Sequence, residues 1–269
     1  MREKIIYGLG VIAAVLLARN LYSIFMQLPD EASQGMIYRI IFFHVPAAIT
    51  AMLCSAVACV ESAMFLITRN FKHDAIALST TEVGLAFLAA NLVTGSIWGR
   101  IIWGIWWTWD ARLTSALICW VLYAGYLMLR RAIEEPAERA RISAVFNIFA
   151  FTDVPIVFFS IKWWRTQHPQ PVFWGGGSID PDMFRTAALN LLALCLLATV
   201  LVLIRLRQEE VQREIDTMRR YAHAIKTEPH FNGYTQFHFY VLWLFGRLAD
   251  PGDLRALAGL ARAQDRRTA

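Results

Sequence analysis

Six apolar segments set the limits on this 269-residue chain: roughly 5–26, 42–68, 75–97, 114–130, 143–162 and 185–205. A helix that crosses a bilayer needs about 20 mostly apolar residues. The periodicity and length of these segments predict an all-α polytopic membrane protein with six transmembrane helices. The composition agrees, because 57% hydrophobic residues and a mean hydropathy of +0.42 exclude an ordinary soluble domain. The first segment follows Arg2 and Lys4 but ends at Arg19 and Asn20, with no small-x-small cleavage site. It reads as an uncleaved first span.

The net charge of +5 is an orientation signal and does not point to nucleic acid, because the Lys and Arg cluster in short loops. One side carries Arg2, Lys4, Arg69, Lys72, Arg130, Arg131, Arg139, Arg141, Arg205 and Arg207. The other carries Arg39, Arg100, Arg112, Lys162 and Arg165. The richer side should be cytoplasmic, so both termini lie inside and the loops 27–41, 98–113 and 163–184 face out. Residues 1–207 then form a membrane domain and 208–269 a cytoplasmic extension. The extension opens with charges at helical spacing, such as Glu209–Arg213, which predict that the sixth helix continues into the cytoplasm. Residues 237–246, FHFYVLWLFG, are too short to span and suit a membrane surface or a partner. The tail 250–269 is basic.

The run Trp98–Ser115, WGRIIWGIWWTWDARLTS, lies in the second outer loop. Five of the chain's ten Trp sit in it: Trp98, Trp103, Trp106, Trp107 and Trp109. An interfacial belt needs one or two Trp per helix end. Five together, followed by Asp110 and Arg112, suit a flat platform for a large planar ligand. Asp110 also suits the N-cap of the fourth helix. Isolated Trp120 and Trp243 read as core or anchor residues.

Two of the six His fall on the same side. His44 sits in YRIIFFHVPAA, where Pro46 suits a first helical turn. His168 sits in KWWRTQHPQP beside Trp163 and Trp164, with Trp174 following. A haem iron accepts two axial imidazoles, its porphyrin stacks on aromatics, and its propionates pair with Arg. Arg39 and Arg112 are the arginines expected at the propionates. The four Cys lie in apolar segments without CxxC or CxxCH, which argues against a disulfide framework, a zinc site and covalent haem attachment. Asn91 and Asn147 suit interhelical hydrogen bonds. Glu61, Glu82 and Asp153 suit a bundle interior, with Asp153 and Pro155 marking a kink.

The motifs LVTGSIWG and WGIWWTWDARLTS, with Tyr38–Ala48, Trp163–His168 and Ser178–Pro181, resemble the haem exporter protein C family of bacterial cytochrome c maturation. The resemblance covers about residues 34–207. It implies a protein of the bacterial cytoplasmic membrane that holds haem b at the periplasmic face, with His44 and His168 as axial ligands and Trp103–Thr114 shaping the site. It implies delivery to a membrane-tethered periplasmic haem chaperone. It also implies a small single-helix membrane partner and an ABC-type ATPase with its membrane subunit. The chain has no G-x-x-x-x-G-K-[ST], so ATP use falls to a partner. The resemblance describes a carrier, not an enzyme. Three other classes remain open on the residues alone. A bis-His cytochrome b-type subunit would hold its ligands within the helices. A solute transporter could use Glu61, Glu82 and Asp153. A haem synthase would carry a larger periplasmic domain.

Overall fold

The computed structural model describes residues 2–170 and 179–227, with side chains as far as residue 222. Trp174, Ser178, His230, His238, Trp243, the segment 237–246 and the tail 250–269 lie outside the described residues. The elements are α1 (Arg2–Tyr22), α2 (Ile41–Thr68), α3 (Phe71–Ile102), α4 (Ala111–Ala132), α5 (Pro136–Phe151), α6 (Asp153–Trp163) and α7 (Pro181–Thr227). No strand occurs among the described residues. A π-helical turn, Ser23–Gln27, ends α1, and a 3₁₀ turn, Met36–Ile40, leads into α2.

Among the described residues, six helical segments are long and apolar enough to cross a membrane, with α5 and α6 together forming the fifth. Large apolar side chains such as Val60, Met128 and Val145 face outward from them, as a lipid-facing surface requires. The chain divides into compact units Met1–Val211 and Gln212–Ala269. In the second unit, the described helix carries an i,i+4 hydrogen bond from Gln212 to Asp216 at 3.0 Å. α7 has 47 residues, more than the roughly 20 that a hydrocarbon core requires.

Among α1–α6, the α2–α3 pair forms the most extensive helix contact. Small buried residues line both helices, and at Gly84 of α3 a Cβ would lie 2.8 Å from Cys54 Cβ and 3.6 Å from the carbonyl of Ala51 on α2, so the backbones approach closely there. Pro46 does not fall in the first turn. The 3₁₀ turn runs straight into α2, so Pro46 is the sixth residue of the helix. Its missing N–H leaves the carbonyl of Phe42 without its helical donor. Asn190 Nδ2 of α7 donates to that carbonyl at 2.5 Å, and Asn20 Nδ2 of α1 donates to Asn190 Oδ1 at 3.4 Å. One proline thus fixes where α1 and α7 dock on α2.

The fifth span breaks at Thr152, as the pairing of Asp153 with Pro155 suggested. Asn147 donates to Thr81 Oγ1 at 2.9 Å, tying α5 to α3. Glu61 pairs with His73 at 2.7 Å and Glu82 with Arg205 at 2.6 Å. Arg130 of α4 clamps Asp74 of α3 with two hydrogen bonds of 2.6 and 3.0 Å, and both side chains are buried. Losing one partner leaves a buried charge uncompensated, at a cost of about 3–5 kcal/mol. Asp74→Ala should therefore lower the unfolding midpoint of the detergent-solubilised protein. Adding Arg130→Met to it should recover a large part of the loss. Thermal unfolding of the two variants checks this.

Candidate functional site

The segments joining α1 to α2, α3 to α4 and α6 to α7 meet at one end of the bundle. Trp98 Nε1, near the end of α3, donates to Gln34 Oε1 at 2.9 Å, linking the first to the helix that leads into the second. Asp110 Oδ2 accepts from Gln167 N at 3.0 Å, linking the second to the third. Beneath them opens a cavity of about 340 Å³ between α2, α3, α4 and α6. Its mouth is walled by Tyr38, Trp98, Trp103, Trp107 and Gln170. Its floor is apolar: Ala48, Met52, Leu88 and Ala116. Met52 lies eight residues below His44, so the floor reaches about 12 Å down α2.

His44 and His168 both line this cavity. Their ring centroids are 6.3 Å apart and their planes are inclined by 31°. Their partners fix which nitrogen carries the proton. Thr94 Oγ1 donates to the carbonyl of Ala90 at 2.7 Å, so at 3.1 Å it accepts from His44 Nδ1–H. The carbonyl of Pro169 accepts from His168 Nδ1–H at 2.8 Å. Each Nε2 is left with its lone pair, the arrangement of an imidazole prepared to ligate a metal. Asn91 Nδ2 sits 3.2 Å from both ring nitrogens of His44, which puts it over the ring face and not in line with either lone pair. It also donates to the carbonyl of His44 at 3.1 Å. Gly95 permits this approach. A Cβ there would lie 2.9 Å from His44 Cε1.

The Trp run divides in two. Trp98 and Trp103 meet edge-to-face at 5.0 Å and line the cavity with Trp107. Trp98 stands on the last turns of α3 and not in a loop, because the helix runs on to Ile102. Trp103 folds back over Gly99, where a Cβ would come within 3.1 Å of its ring. Trp107 packs against Trp109 at 5.9 Å, but Trp106 and Trp109 are largely exposed, at 60% and 77%, and lie outside the lining. Trp163 and Trp164 are also exposed. Trp107 Nε1 is buried and has no hydrogen-bond partner among the described residues.

Arg112 is the one permanently charged residue among the described lining. Its Nη1 donates to the carbonyl of Val157. Arg39 is engaged elsewhere. It pairs with Asp30 at 2.8 Å and donates to the carbonyls of Leu28 and Phe25 at 3.0 and 3.1 Å, closing the α1–α2 connection. Asp110 caps α4 by accepting from Leu113 N at 2.9 Å, and it too stands outside the lining. Gln34, Tyr38, Asn91, Thr94 and Gly95 complete the site, although the sequence reading gave none of them a ligand role. The signal available was the four-residue step from Asn91 to Gly95, which puts an amide and a gap on one face of α3.

The fold and this site define a multi-pass membrane protein with a ligand cavity at one end of its helix bundle. A family model described as "Heme exporter protein C" matches residues 1–221, and the chain belongs to that family. It is 35% identical over 221 residues to a heme exporter protein C of Bradyrhizobium diazoefficiens, an alignment covering 81% of this chain and 84% of the relative. It is also 35% identical over 179 residues to the heme exporter protein C of Escherichia coli, covering 66% and 73%.

Exclusion of water, with the Arg112 charge second, pushes the pKa of His168 down to about 4. A lowered pKa keeps this imidazole neutral at every pH above that value, and protonation sets in only as pH falls through it. An NMR titration of the ligand-free protein should find the His168 ring unchanged from pH 8 to about pH 5. A midpoint near the ordinary histidine value would contradict this.

Proposed function

We propose that the chain carries haem b as cargo between His44 and His168, the two axial ligands of its iron. The 6.3 Å ring separation carries this reading. A metal–imidazole bond is about 2.0–2.1 Å long and each nitrogen lies about 1.1 Å from its ring centre, so imidazoles on opposite sides of one metal have centroids about 6.3 Å apart. Among the described residues no cluster of three His, Cys, Asp or Glu offers a fuller ligand set. Two imidazoles suffice for an iron that brings four equatorial nitrogens with it.

The rest of the cavity suits the same cargo. The apolar floor takes the edge of the macrocycle, and Trp98, Trp103 and Trp107 offer ring surface beside it. The carboxylate side chains of haem find the Arg112 guanidinium and the unpartnered indole N–H of Trp107. The relatives' shared name, heme exporter protein C, fits this cargo.

In this reading the bundle sits in the bacterial cytoplasmic membrane with both termini and the end of α7 inside, because the basic residues concentrate there. The cavity opens to the periplasm. The haem passes to a membrane-tethered periplasmic chaperone for c-type cytochrome assembly. A small single-helix membrane protein and an ABC-type ATPase with its membrane subunit complete the machine, the ATPase supplying the nucleotide site this sequence lacks. The chain is a carrier. Its side chains hold and release the haem without altering it.

Haem titration of the purified protein, followed by absorption, tests the reading. The unaltered chain should give a six-coordinate low-spin spectrum, and His44→Ala or His168→Ala should each abolish it. Arg112→Glu should weaken binding about tenfold or more, the scale of a lost charge-assisted hydrogen bond. Gly95→Ala should weaken it about tenfold by displacing the His44 ring. A low-spin spectrum surviving the double histidine replacement would overturn the assignment. Reversible reduction of a permanently bound haem by quinol would favour an electron carrier.

A further inference from the structure

The two imidazoles are held in different ways. His44 rides on α2, with Asn91, Thr94 and Gly95 of α3 around its ring. His168 lies in the non-helical segment after α6, which ends at Trp163. Among the described residues, the hydrogen bonds that tie 165–168 to the bundle run to a single side chain, Asp110. Its Oδ2 accepts from Thr166 Oγ1 at 2.5 Å and from Gln167 N at 3.0 Å. Thr166 Oγ1, its proton given to Asp110, accepts from the amide of His168 at 3.0 Å. Oδ1 of the same carboxylate caps α4 through Leu113 N at 2.9 Å. Both oxygens are therefore engaged by the chain's own donors, and Asp110 stands outside the cavity lining.

The geometry points to Asp110 as a positioning residue: its carboxylate holds His168 over the cavity through Thr166 and does not touch the cargo. This inference rests on the reading of His168 as an iron ligand. The charge sits at the N-terminus of α4, where it is favoured, so the helix end and the loop share one anchor. The Trp run and the second histidine then act as one unit. The one acidic residue of the motif fixes the distance between the indole wall and the second imidazole.

Two variants separate this role from simple capping. Asp110→Asn keeps a cap-competent oxygen for Leu113 N but offers Gln167 N–H an amide nitrogen that cannot accept. Thr166→Val removes the hydroxyl relay and leaves the cap untouched. In the haem-free protein, both should raise hydrogen exchange at the amides of Gln167 and His168 by about tenfold or more, with α4 amides unchanged in Thr166→Val. On haem titration, both should lose the low-spin spectrum in part and bind about tenfold more weakly. Added imidazole should restore the low-spin spectrum in both, as in His168→Ala.

Unchanged exchange at Gln167 and His168 in both variants would overturn the proposal. So would loss of haem from Asp110→Asn that imidazole does not rescue while it rescues His168→Ala, because Asp110 would then contact the haem itself. If His168→Ala keeps the full low-spin spectrum, the ligand reading fails. The exchange result still reports on the anchor by itself.

Discussion

The site end of the bundle depends on two imidazole rings held 6.3 Å apart, one on a long helix and one on a short irregular segment. Neither ring could reach that position alone. His44 needs a gap in the facing helix, which Gly95 provides, and a hydroxyl whose own proton is committed elsewhere, which Thr94 provides. His168 needs the loop after α6 drawn back over the bundle, and the carboxylate of Asp110 draws it there. In both rings Nδ1 is spent on an oxygen and Nε2 stays open. Under the proposed reading, the pair is organised before the iron arrives, which limits the ordering cost of binding.

The remaining architecture keeps that end fixed while leaving it accessible. Pro46 frees a carbonyl that Asn190 fills, so α7 cannot slide along α2 without stranding a polar group in an apolar environment. At the opposite end, the Arg130–Asp74 clamp joins α3 to α4, the two helices that carry the Trp run between them. The cavity has one guanidinium and, among the described lining, no carboxylate. This favours an anionic, largely apolar ligand over a cation. Trp106 and Trp109 of the same run leave exposed ring surface beside the site.

The spans were legible because each apolar run is long enough to cross a bilayer by itself, and α7 because its charges recur at helical spacing. Their ends were less so. Hydropathy marks the apolar part of a helix, yet α3 continues past residue 97 through Trp98 and Arg100, since nothing in its backbone stops it before Trp103. The two histidines and the Trp run could be named from their shared side. Their supports could not. Arg39 looked like a ligand for acidic groups, but its partner Asp30 is nine residues away and fixed by a turn that no periodicity announces. Asp110 and Thr166 are 56 residues apart, and only the packed bundle brings them together. Asn91 read correctly as an interhelical donor, although its target proved to be the ligand candidate itself.

Electron paramagnetic resonance of the purified chain loaded with ferric haem tests the central claim most directly, because the signal reports both the number of axial imidazoles and the angle between their planes. The 31° inclination predicts a rhombic low-spin signal from two near-parallel rings, lost when either His44 or His168 is replaced by Ala. An axial high-spin signal from the unaltered chain would contradict a haem held between these two histidines.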